Sequence, residues 1–349
     1  MKALVTGGNG HIGSHVVRAC VAAGIEPVVF ARAGSDRRAL SGLGVEVKEG
    51  DLLDEAALRG AMSGAELVFH IASPHRNFAI DPQDFLRPAV EGTRTVFRAA
   101  RTAGVRRVVH TSTGATIGFA TDPAHPLTED ASLESAASPY IQSKIEAESV
   151  ARKEGEAGGI EVVVVNPSGV FGPRDYRVTP ATRAIVGLLQ GDPMFLHVSV
   201  TDVRDVAACH VLAATKGASG RRYLATGAVM APAEGRELFG KLGGVRPATF
   251  QPPRFLLSWM AGRMEKKAAA AGTDAPLTRA MVRDAIGKHL AYDSTRARKE
   301  LGATFRPPEA VLRDTFRWLL FVDALKPKVA AKVRAALGEA AAPDADWAK

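Results

Sequence analysis

The sequence predicts an α/β protein with a doubly wound parallel sheet and a second, smaller C-terminal lobe. Short Val- and Ile-rich runs alternate with helical stretches through the first half of the chain. Several of these runs are continuously apolar, as is typical of strands that helices cover on both sheet faces. A glycine-rich turn joins the first run to the first helix, and the alternation loosens after Pro167. This order of elements is that of a doubly wound fold.

Seven β-rich runs have the length of strands, and helical stretches separate most of them. The predicted strands are 2–7, 26–32, 45–51, 65–72, 105–113, 160–167 and 221–227. The predicted helices are 11–24, 82–104, 138–155, 179–190 and 203–215. Several of these helices begin after a serine, threonine or proline or end on a glycine, which are common helix boundary signals.

The sheet domain is expected to interleave with the second lobe. We assign the sheet domain to residues 1–166, with contributions from about 198–228. The smaller lobe is predicted from 167–197 and 229–325, where proline-rich breaks separate helices and short strands. A basic, Ala-rich helical tail is predicted over 326–349.

Composition and charge are those of an ordinary globular protein, with 46% apolar and 23% charged residues. Two cysteines, Cys20 and Cys209, lie in apolar runs and cannot form a disulfide framework, so we expect a cytoplasmic protein. We expect no signal peptide and no transmembrane segment. The net charge is +8, of which +7 (18 basic minus 11 acidic residues) falls in 254–349. No aromatic-interleaved basic motif accompanies it, so nucleic-acid binding is not expected.

The stretch "VTGGNGHIG" (5–13) places three glycines, Gly7, Gly10 and Gly13, between a strand and a helix. A dinucleotide loop needs glycines to turn tightly, to admit a pyrophosphate and to let helix pack on strand. The helix N-terminus then presents free N–H groups and a positive dipole end to the phosphates. This pattern predicts a Rossmann-type nucleotide site.

The end of the second strand indicates which nucleotide is bound. NAD-preferring folds usually place an acidic residue there, which holds the ribose hydroxyls. Here Arg32 occupies that position, and Ser35, Arg37 and Arg38 follow closely. Because a guanidinium suits a 2′-phosphate by charge and geometry, we expect NADP (NADPH) in preference to NAD. Asp36 is the nearest acid, and a solvated helix start is the alternative interpretation of Arg37 and Arg38.

The stretch "SPYIQSK" (138–144) places Tyr140 and Lys144 one helical turn apart on the same face. Ser138 and the following proline have the character of an N-cap and first helical residue. A cation beside a phenol lowers the phenol's pKa, which would make the pair a proton donor and acceptor. The alternative is an ordinary solvated helix face.

Several motifs in this order resemble the extended short-chain dehydrogenase/reductase family, over about residues 1–320. The motifs are "TGGNGHIG" (6–13), "GDLLD" (50–54), "HIAS" (70–73), "HTSTGATIG" (110–118), "YIQSK" (140–144) and "NPSGVFGPRD" (166–175). Within the superfamily of NAD-dependent epimerases and dehydratases, "ARAGSDRRAL" and "PAVEGT" are most similar to the dihydroflavonol-reductase and 3β-hydroxysteroid-dehydrogenase branch.

The resemblance implies roles for individual residues. Tyr140 would be the general acid or base, Lys144 would lower its pKa and hold the nicotinamide ribose, and Thr113 would supply the third hydroxyl, with Ser112 as the substitute. Cofactor contacts are implied for Gly7, Asn9, Gly10, His11, Ile12, Gly13, Arg32, Arg37, Asp51, Leu52, Ile71, Ala72, Ser73, Lys144 and Pro167. Substrate contacts are weakly implied for His75, Asn166 and Tyr176, and His70 is expected to pack at the cofactor edge.

The expected activity is hydride transfer between NADP(H) and a carbonyl or secondary alcohol of a largely apolar small-molecule substrate. A sugar-nucleotide epimerase or dehydratase with tightly bound NAD is the alternative, and a non-catalytic NADP sensor is the third. No metal site is expected, because there is no HExxH and no cysteine cluster. The resemblance also implies a homodimer through the helices around 82–104 and 137–155.

One amphipathic stretch falls outside these motifs. The segment 252–272 mixes apolar and basic residues at helical spacing. We expect it to be a core-packing helix of the small lobe. The alternatives are a cap over an apolar substrate and a peripheral contact with a membrane surface.

Overall fold

The computed structural model describes residues 1–74, 76–344 and 347, and its central feature is a seven-stranded parallel sheet. The strands in chain order, including four short ones that lie outside this sheet, are β1 (Lys2–Thr6), β2 (Glu26–Ala31), β3 (Glu46–Glu49), β4 (Leu67–His70), β5 (Arg107–Thr111), β6 (Glu161–Pro167), β7 (Val170–Phe171), β8 (Val198–Ser199), β9 (Thr201–Asp202), β10 (Arg222–Ala225) and β11 (Val229–Met230). The order in the main sheet is β10-β6-β5-β4-β1-β2-β3.

Every pairing in this sheet is parallel, so the carboxyl ends of its strands lie at one edge. The predicted strands all lie in it, which confirms the doubly wound α/β fold class. The order reverses beside β1, and ligands bind at the carboxyl edge near such a switch point. The short strands β7, β8, β9 and β11 form two separate two-stranded ladders.

Helices cover both faces of the sheet and build the second lobe. They are α1 (His11–Ala22), α2 (Glu55–Ala61), α3 (Gln83–Ala103), α4 (Pro139–Gly158), α5 (Pro180–Gln190), α6 (Val203–Lys216), α7 (Pro232–Gly243), α8 (Arg254–Ala271), α9 (Arg279–Ala285), α10 (Pro308–Phe321) and α11 (Pro327–Leu337). Helices α1 and α6 pack on one face, and α2, α3 and α4 on the other.

The second lobe has its own core, built around Phe239, Leu312 and Phe316 from α7 and α10. Helix α11 buries Ala330 and Val333 in the same core, so the Ala-rich C-terminal segment is packed rather than free over these residues. Residues 345, 346, 348 and 349 of that segment lie outside the described residues.

Candidate active site

The candidate site lies where β1, β4, β5 and β6 end, at the carboxyl edge of the sheet. Their last residues are Thr6, His70, Thr111 and Pro167. Strands β4 and β1 are direct neighbours, as are β4 and β5. The loop after β1 and the segment after β5 therefore open into one crevice.

The glycine loop has the backbone geometry that a dinucleotide requires. Gly7 has a φ of +69°, and a Cβ there would lie 2.9 Å from the backbone nitrogen of Ala72. A Cβ on Gly13 would lie 2.1 Å from the carbonyl oxygen of Gly7. Only glycine therefore fits at these two positions without moving the chain. The side-chain amide of Asn9 donates to the Asp36 carbonyl oxygen at 3.1 Å and ties the loop to the segment after β2.

The start of α1 is open to an anion. Its N-cap is Gly10, which offers no side-chain oxygen, and its first turn carries no acid. The backbone N–H groups of His11 and Ile12 are therefore available to phosphate oxygens, as at other dinucleotide loops. The buried His11 Nε2 and Ser73 Oγ have no hydrogen-bond partner among the described residues. Such orphaned polar atoms fit a site built to receive a polar ligand.

The segments around the loop are fixed by hydrogen bonds and close packing. The N–H groups of Ile71 and Ala72 donate to the Thr6 hydroxyl at 3.2 and 3.3 Å. Leu52 packs against Gly92 of α3, where a Cβ would lie 3.3 Å from the Leu52 Cβ. Asp51 is exposed, and its carboxylate accepts from the Leu53 N–H at 2.9 Å.

The arginines after β2 differ in whether their guanidinium groups are already paired with a carboxylate. Arg37 is paired with Glu49 of β3, and Arg38 is paired with Asp36 at 2.7 Å. Arg32 follows the last residue of β2 directly, is exposed, and has no ion-pair partner within the described chain. Of the three guanidiniums, that of Arg32 is thus the one most available to a phosphate.

Tyr140, Thr113 and Lys144 come together at the end of β5. Tyr140 is half-buried and hydrogen-bonded to Thr113, whose hydroxyl also donates to the Pro167 carbonyl oxygen at 3.5 Å. Lys144 is only 6% exposed, and its Nζ donates to the Thr111 carbonyl oxygen at 3.1 Å. Neither side chain of the Tyr140/Lys144 pair is thus aimed at bulk water, and the solvated-face interpretation is wrong.

The prediction that Lys144 lowers the pKa of Tyr140 is wrong for the protein as it stands. Burial raises the pKa of Tyr140 to about 12, although the hydrogen bond with Thr113 acts in the opposite direction. Burial also lowers the pKa of Lys144 to about 8, opposed by the Glu148 carboxylate. The reason is desolvation, which disfavours both charged forms and outweighs the neighbouring groups.

Ser112 and Asn166 belong to a buried network behind the site rather than to its surface. The Ser112 hydroxyl lies 3.3 Å from the Thr116 hydroxyl and hydrogen-bonds to Glu148, so it faces away from Tyr140. The fully buried Asn166 donates its side-chain amide to the Thr113 carbonyl oxygen at 3.2 Å. Ser112 is thus the weaker candidate for the third hydroxyl. Asn166 fixes the Thr113 backbone, while its Oδ1 has no hydrogen-bond partner among the described residues, and its expected substrate contact stays a prediction.

Glu148 is a residue that the sequence interpretation missed. It is 2% exposed and paired with Arg222 and with Arg152, at 3.1 Å for the latter. Burial acts to raise the pKa of the Glu148 carboxyl, but the positive charge of Arg222 outweighs it, together with weaker contributions, so the pKa lies below its usual value. Glu148 lies one further turn along the face that carries Tyr140 and Lys144, and this i, i+4, i+8 spacing was the available signal.

Tyr176 lies beside the glycine loop. Its ring packs edge-on against Trp318 at 4.9 Å, and the Arg38 guanidinium stacks over it at 4.7 Å. The 172–178 loop folds back toward α1, where the His15 Nε2 lies 3.1 Å from the Pro173 carbonyl oxygen. The expected substrate contact of Tyr176 stays a prediction. His75 lies outside the described residues.

Two carboxylates from the second lobe hold segments that flank the site. Asp284 of α9 accepts from the Ala137 and Ser138 N–H groups at 2.9 and 2.8 Å, just before α4 begins. Ser138 is the N-cap by backbone position, but its hydroxyl makes no capping bond. Asp274, which follows α8, accepts from the Asn77 and Phe78 N–H groups, both at 2.8 Å.

His70 has a structural role, with its ring hydrogen-bonded to Thr6 at 2.9 Å and to Thr93 at 3.0 Å. Burial is the main reason that its pKa lies well below the usual value. Among the described residues, no group of three His, Cys, Asp or Glu side chains could hold a metal ion. No helix in that part of the chain combines the length and apolarity that crossing a bilayer demands.

Comparison with known proteins shows what this chain is similar to. The family model of the NAD-dependent epimerase/dehydratase family matches residues 3–225. The chain is 33% identical over 324 residues to sterol demethylase protein B of Methylococcus capsulatus, covering 91% of this chain and 98% of that protein. It is 30% identical over 328 residues to a putative dihydroflavonol 4-reductase of Synechocystis, covering 90% and 93%.

Solved structures show the same fold over nearly the whole chain. The crystal structure of gox2253 superposes with a TM-score of 0.80 at 28% identity, covering 93% of this chain and 99% of that one. MoeE5, solved with UDP-glucuronic acid and NAD, superposes with a TM-score of 0.67 at 25% identity, covering 91% and 98%. The chain therefore belongs to the NAD-dependent epimerase/dehydratase family, and is an extended short-chain oxidoreductase that uses a nicotinamide cofactor.

Proposed function

We propose that the protein is an NADP(H)-dependent reductase that converts a carbonyl group of a largely apolar small molecule into a secondary alcohol. The observation that carries this proposal is the hydrogen bond of Tyr140 to Thr113, with a buried Lys144 one helical turn away, at the strand edge shared with the glycine loop. A phenol and a hydroxyl that meet at such an edge can bind a carbonyl oxygen and protonate it.

Each residue at the site has a separate role in this reaction. The nicotinamide supplies the hydride when it is bound. Thr113 and Tyr140 hydrogen-bond the substrate oxygen, and Tyr140 transfers its proton to that oxygen as negative charge develops. Lys144 holds a buried positive charge against the Thr111 carbonyl oxygen, one helical turn from Tyr140. Asn166 and Glu148 keep the Thr113 segment in place from behind.

The protonation states favour reduction. At neutral pH, Tyr140, with its pKa raised to about 12, holds its proton, and Lys144, with a pKa of about 8, is mostly charged. The pair is thus ready to donate a proton without prior activation. Oxidation would first require the phenol to lose that proton.

The preference for NADP rests on Arg32. It occupies the position where an acid would hold the ribose hydroxyls of NAD, and it is exposed and unpaired within the described residues. Replacing Arg32 by Asp should reverse the preference between NADPH and NADH. Arg101→Asp, at the far end of α3, is the charge-matched control and should leave the ratio unchanged. An unchanged ratio in both variants would contradict the role of Arg32.

The apolar substrate class has two supports. The buried ring of Phe85 lies 6.5 Å from the Tyr140 ring, so one wall of the crevice is aromatic. The names of the two relatives refer to a sterol and a dihydroflavonol, which are largely apolar molecules.

We place the reaction in the cytoplasm, where the buried, unpaired Cys20 and Cys209 would stay reduced. Pairing of two copies through α3 and α4 is the proposed dimer, which sedimentation would test.

Two measurements test the activity. A panel of ketones and aldehydes should consume NADPH in the presence of the enzyme, followed by the absorbance of the reduced nicotinamide. Denaturing the purified protein should release little NAD. Stoichiometric release of NAD without NADPH consumption would instead favour an epimerase or dehydratase. NADPH binding without either result would favour a sensor.

A further inference from the structure

The outer face of α8 carries large apolar side chains that the fold leaves uncovered. Phe255 is 77% exposed, Trp259 is 59% exposed and Leu256 is 38% exposed. Phe250, in the segment just before the helix, is 62% exposed. Soluble proteins seldom group such residues in one exposed place without a binding role.

This exposure follows from how α8 packs on the second lobe. The helix buries Leu257, Ala261 and Ala268, which share one face at a spacing of about 3.6 residues per turn. Phe255 and Trp259 are one turn apart and lie on the opposite face. The expectation of a core-packing helix therefore describes one face of α8 and leaves the other unexplained.

The same outer face is basic. Arg263, one turn after Trp259, stacks over its ring at 5.1 Å. Exposed Lys266 and Lys267 follow, and Arg254 begins the helix. The helix thus has four bases and one acid, Glu265, which is 14% exposed at its side chain and already paired with Arg279 at 2.8 Å.

We propose that the outer face of α8 binds an anionic membrane surface. Aromatic side chains enter the boundary between headgroups and acyl chains, and nearby lysines and arginines attract anionic headgroups. Charge decides between this occupant and a second copy of the chain. A two-fold contact through α8 would bring two net positive faces together, whereas an anionic bilayer offers the opposite charge.

Two contacts connect the region around α8 to segments that flank the candidate site. Asp274, just beyond α8, holds the Asn77–Phe78 segment, and Asp284 of α9 holds the residues before Tyr140. The membrane-binding face therefore belongs to the part of the second lobe that adjoins the catalytic helix. The binding itself does not rest on the proposed reduction and is measured without turnover.

The chain contains its own reporter for this contact. Of its three tryptophans, Trp318 is fully buried and Trp347 is 5% exposed, whereas Trp259 is 59% exposed. Adding vesicles of phosphatidylglycerol and phosphatidylcholine should shift the tryptophan emission to shorter wavelength, and vesicles of phosphatidylcholine alone should not. Cosedimentation of the full chain with the same vesicles gives the binding constant, which should weaken at high salt.

Two variants separate the apolar and the basic contributions. Phe255→Ser with Trp259→Ser should abolish cosedimentation. Lys266→Ala with Lys267→Ala should weaken it by about thirtyfold, at about 1 kcal/mol for each lysine near the surface. Lys328→Ala with Lys332→Ala removes the same charge from the exposed side of α11 and should leave binding unchanged. All these positions are exposed, so unchanged circular dichroism will show that the variants fold.

Three results would overturn the proposal. The first is no binding of the wild-type chain to anionic vesicles. The second is equal loss of binding in the α11 control, which would indicate a diffuse effect of net charge. The third is a dimer in sedimentation that the Phe255→Ser, Trp259→Ser variant dissolves, because the face would then be an interface between copies.

Discussion

Replacing Asp284 by Ala should impair catalysis from outside the crevice. Its carboxylate accepts two backbone N–H groups, from Ala137 and Ser138, at 2.9 and 2.8 Å. Tyr140 follows two residues later, so this carboxylate fixes where α4, the helix that carries Tyr140, begins. Losing a capping side chain costs about 0.5–2 kcal/mol of stability. Because Asp284 is half-buried and water can replace it in part, we expect a loss of about 1–2 kcal/mol.

The catalytic effect follows from displacement of the tyrosine. A barrier increase of about 1.4 kcal/mol corresponds to a tenfold lower kcat, and we expect a loss of about that size. The KM for NADPH should stay unchanged, because the glycine loop is held by other contacts. Steady-state kinetics with saturating NADPH and thermal unfolding give the two quantities. Asp284→Asn keeps an acceptor oxygen and should be intermediate in both.

A matched control distinguishes positioning of Tyr140 from general destabilisation. Asp122 accepts the Ala124 N–H at 2.9 Å in an exposed turn, so Asp122→Ala removes a comparable contact elsewhere. It should leave kcat unchanged. An Asp284→Ala enzyme with reduced stability but wild-type kcat would refute the reasoning, since the carboxylate would then support the fold alone.

Three further predictions concern single groups. The kcat/KM for reduction should be constant below about pH 7 and fall about tenfold per pH unit above pH 8. The reason is that Lys144, with its pKa lowered to about 8, loses its charge there while Tyr140 stays protonated. A kcat/KM that stays constant up to pH 10 would contradict this. Thr113→Val should lower kcat about 100-fold and Thr113→Ser should restore most of it, and equal kcat for both variants would remove the hydroxyl from the mechanism. Burial lowers the pKa of His110 to about 3, so the unfolded chain binds this proton more strongly and stability is lost as pH falls below 6.5. At pH 5.5, His110 should lower the free energy of unfolding by about 1.4 kcal/mol. His110→Leu should remove that loss, measured as the difference in urea unfolding free energy between pH 7.5 and pH 5.5; it also removes two ring nitrogens without partners among the described residues. The same difference in the variant as in the wild type would contradict the assignment.

The sheet and the glycine loop could be predicted because local patterns specify them. A strand such as β6, "EVVVVNP", contains four consecutive valines, and Gly7 and Gly13 occupy positions where a side chain would collide with the backbone. The pairing of Tyr140 with Lys144 on one helix face likewise follows from spacing alone. The short helix α2 was not predicted, since its seven residues are too few for a periodic pattern.

The features that the sequence did not predict depend on contacts that spacing does not encode. The direction of the Tyr140 pKa is set by burial, which in turn depends on how α4 packs at the sheet edge. Asn166 turned inward to Thr113, and Tyr176 turned to Trp318, 142 residues away in the chain. The Asp284 contact joins residues 146 and 147 positions apart, and no short motif signals such a pair.

The most direct test of the proposed activity compares the wild-type protein with Tyr140→Phe. The substitution removes only the phenolic hydroxyl, so the bond to Thr113 and the proton donor are lost while the ring remains. Each protein is titrated with NADPH by fluorescence, then assayed for NADPH oxidation with the best ketone of the panel. We predict an unchanged NADPH dissociation constant and a kcat at least about 1000-fold lower. Turnover by Tyr140→Phe within tenfold of the wild type would contradict the assignment of Tyr140 as the proton donor.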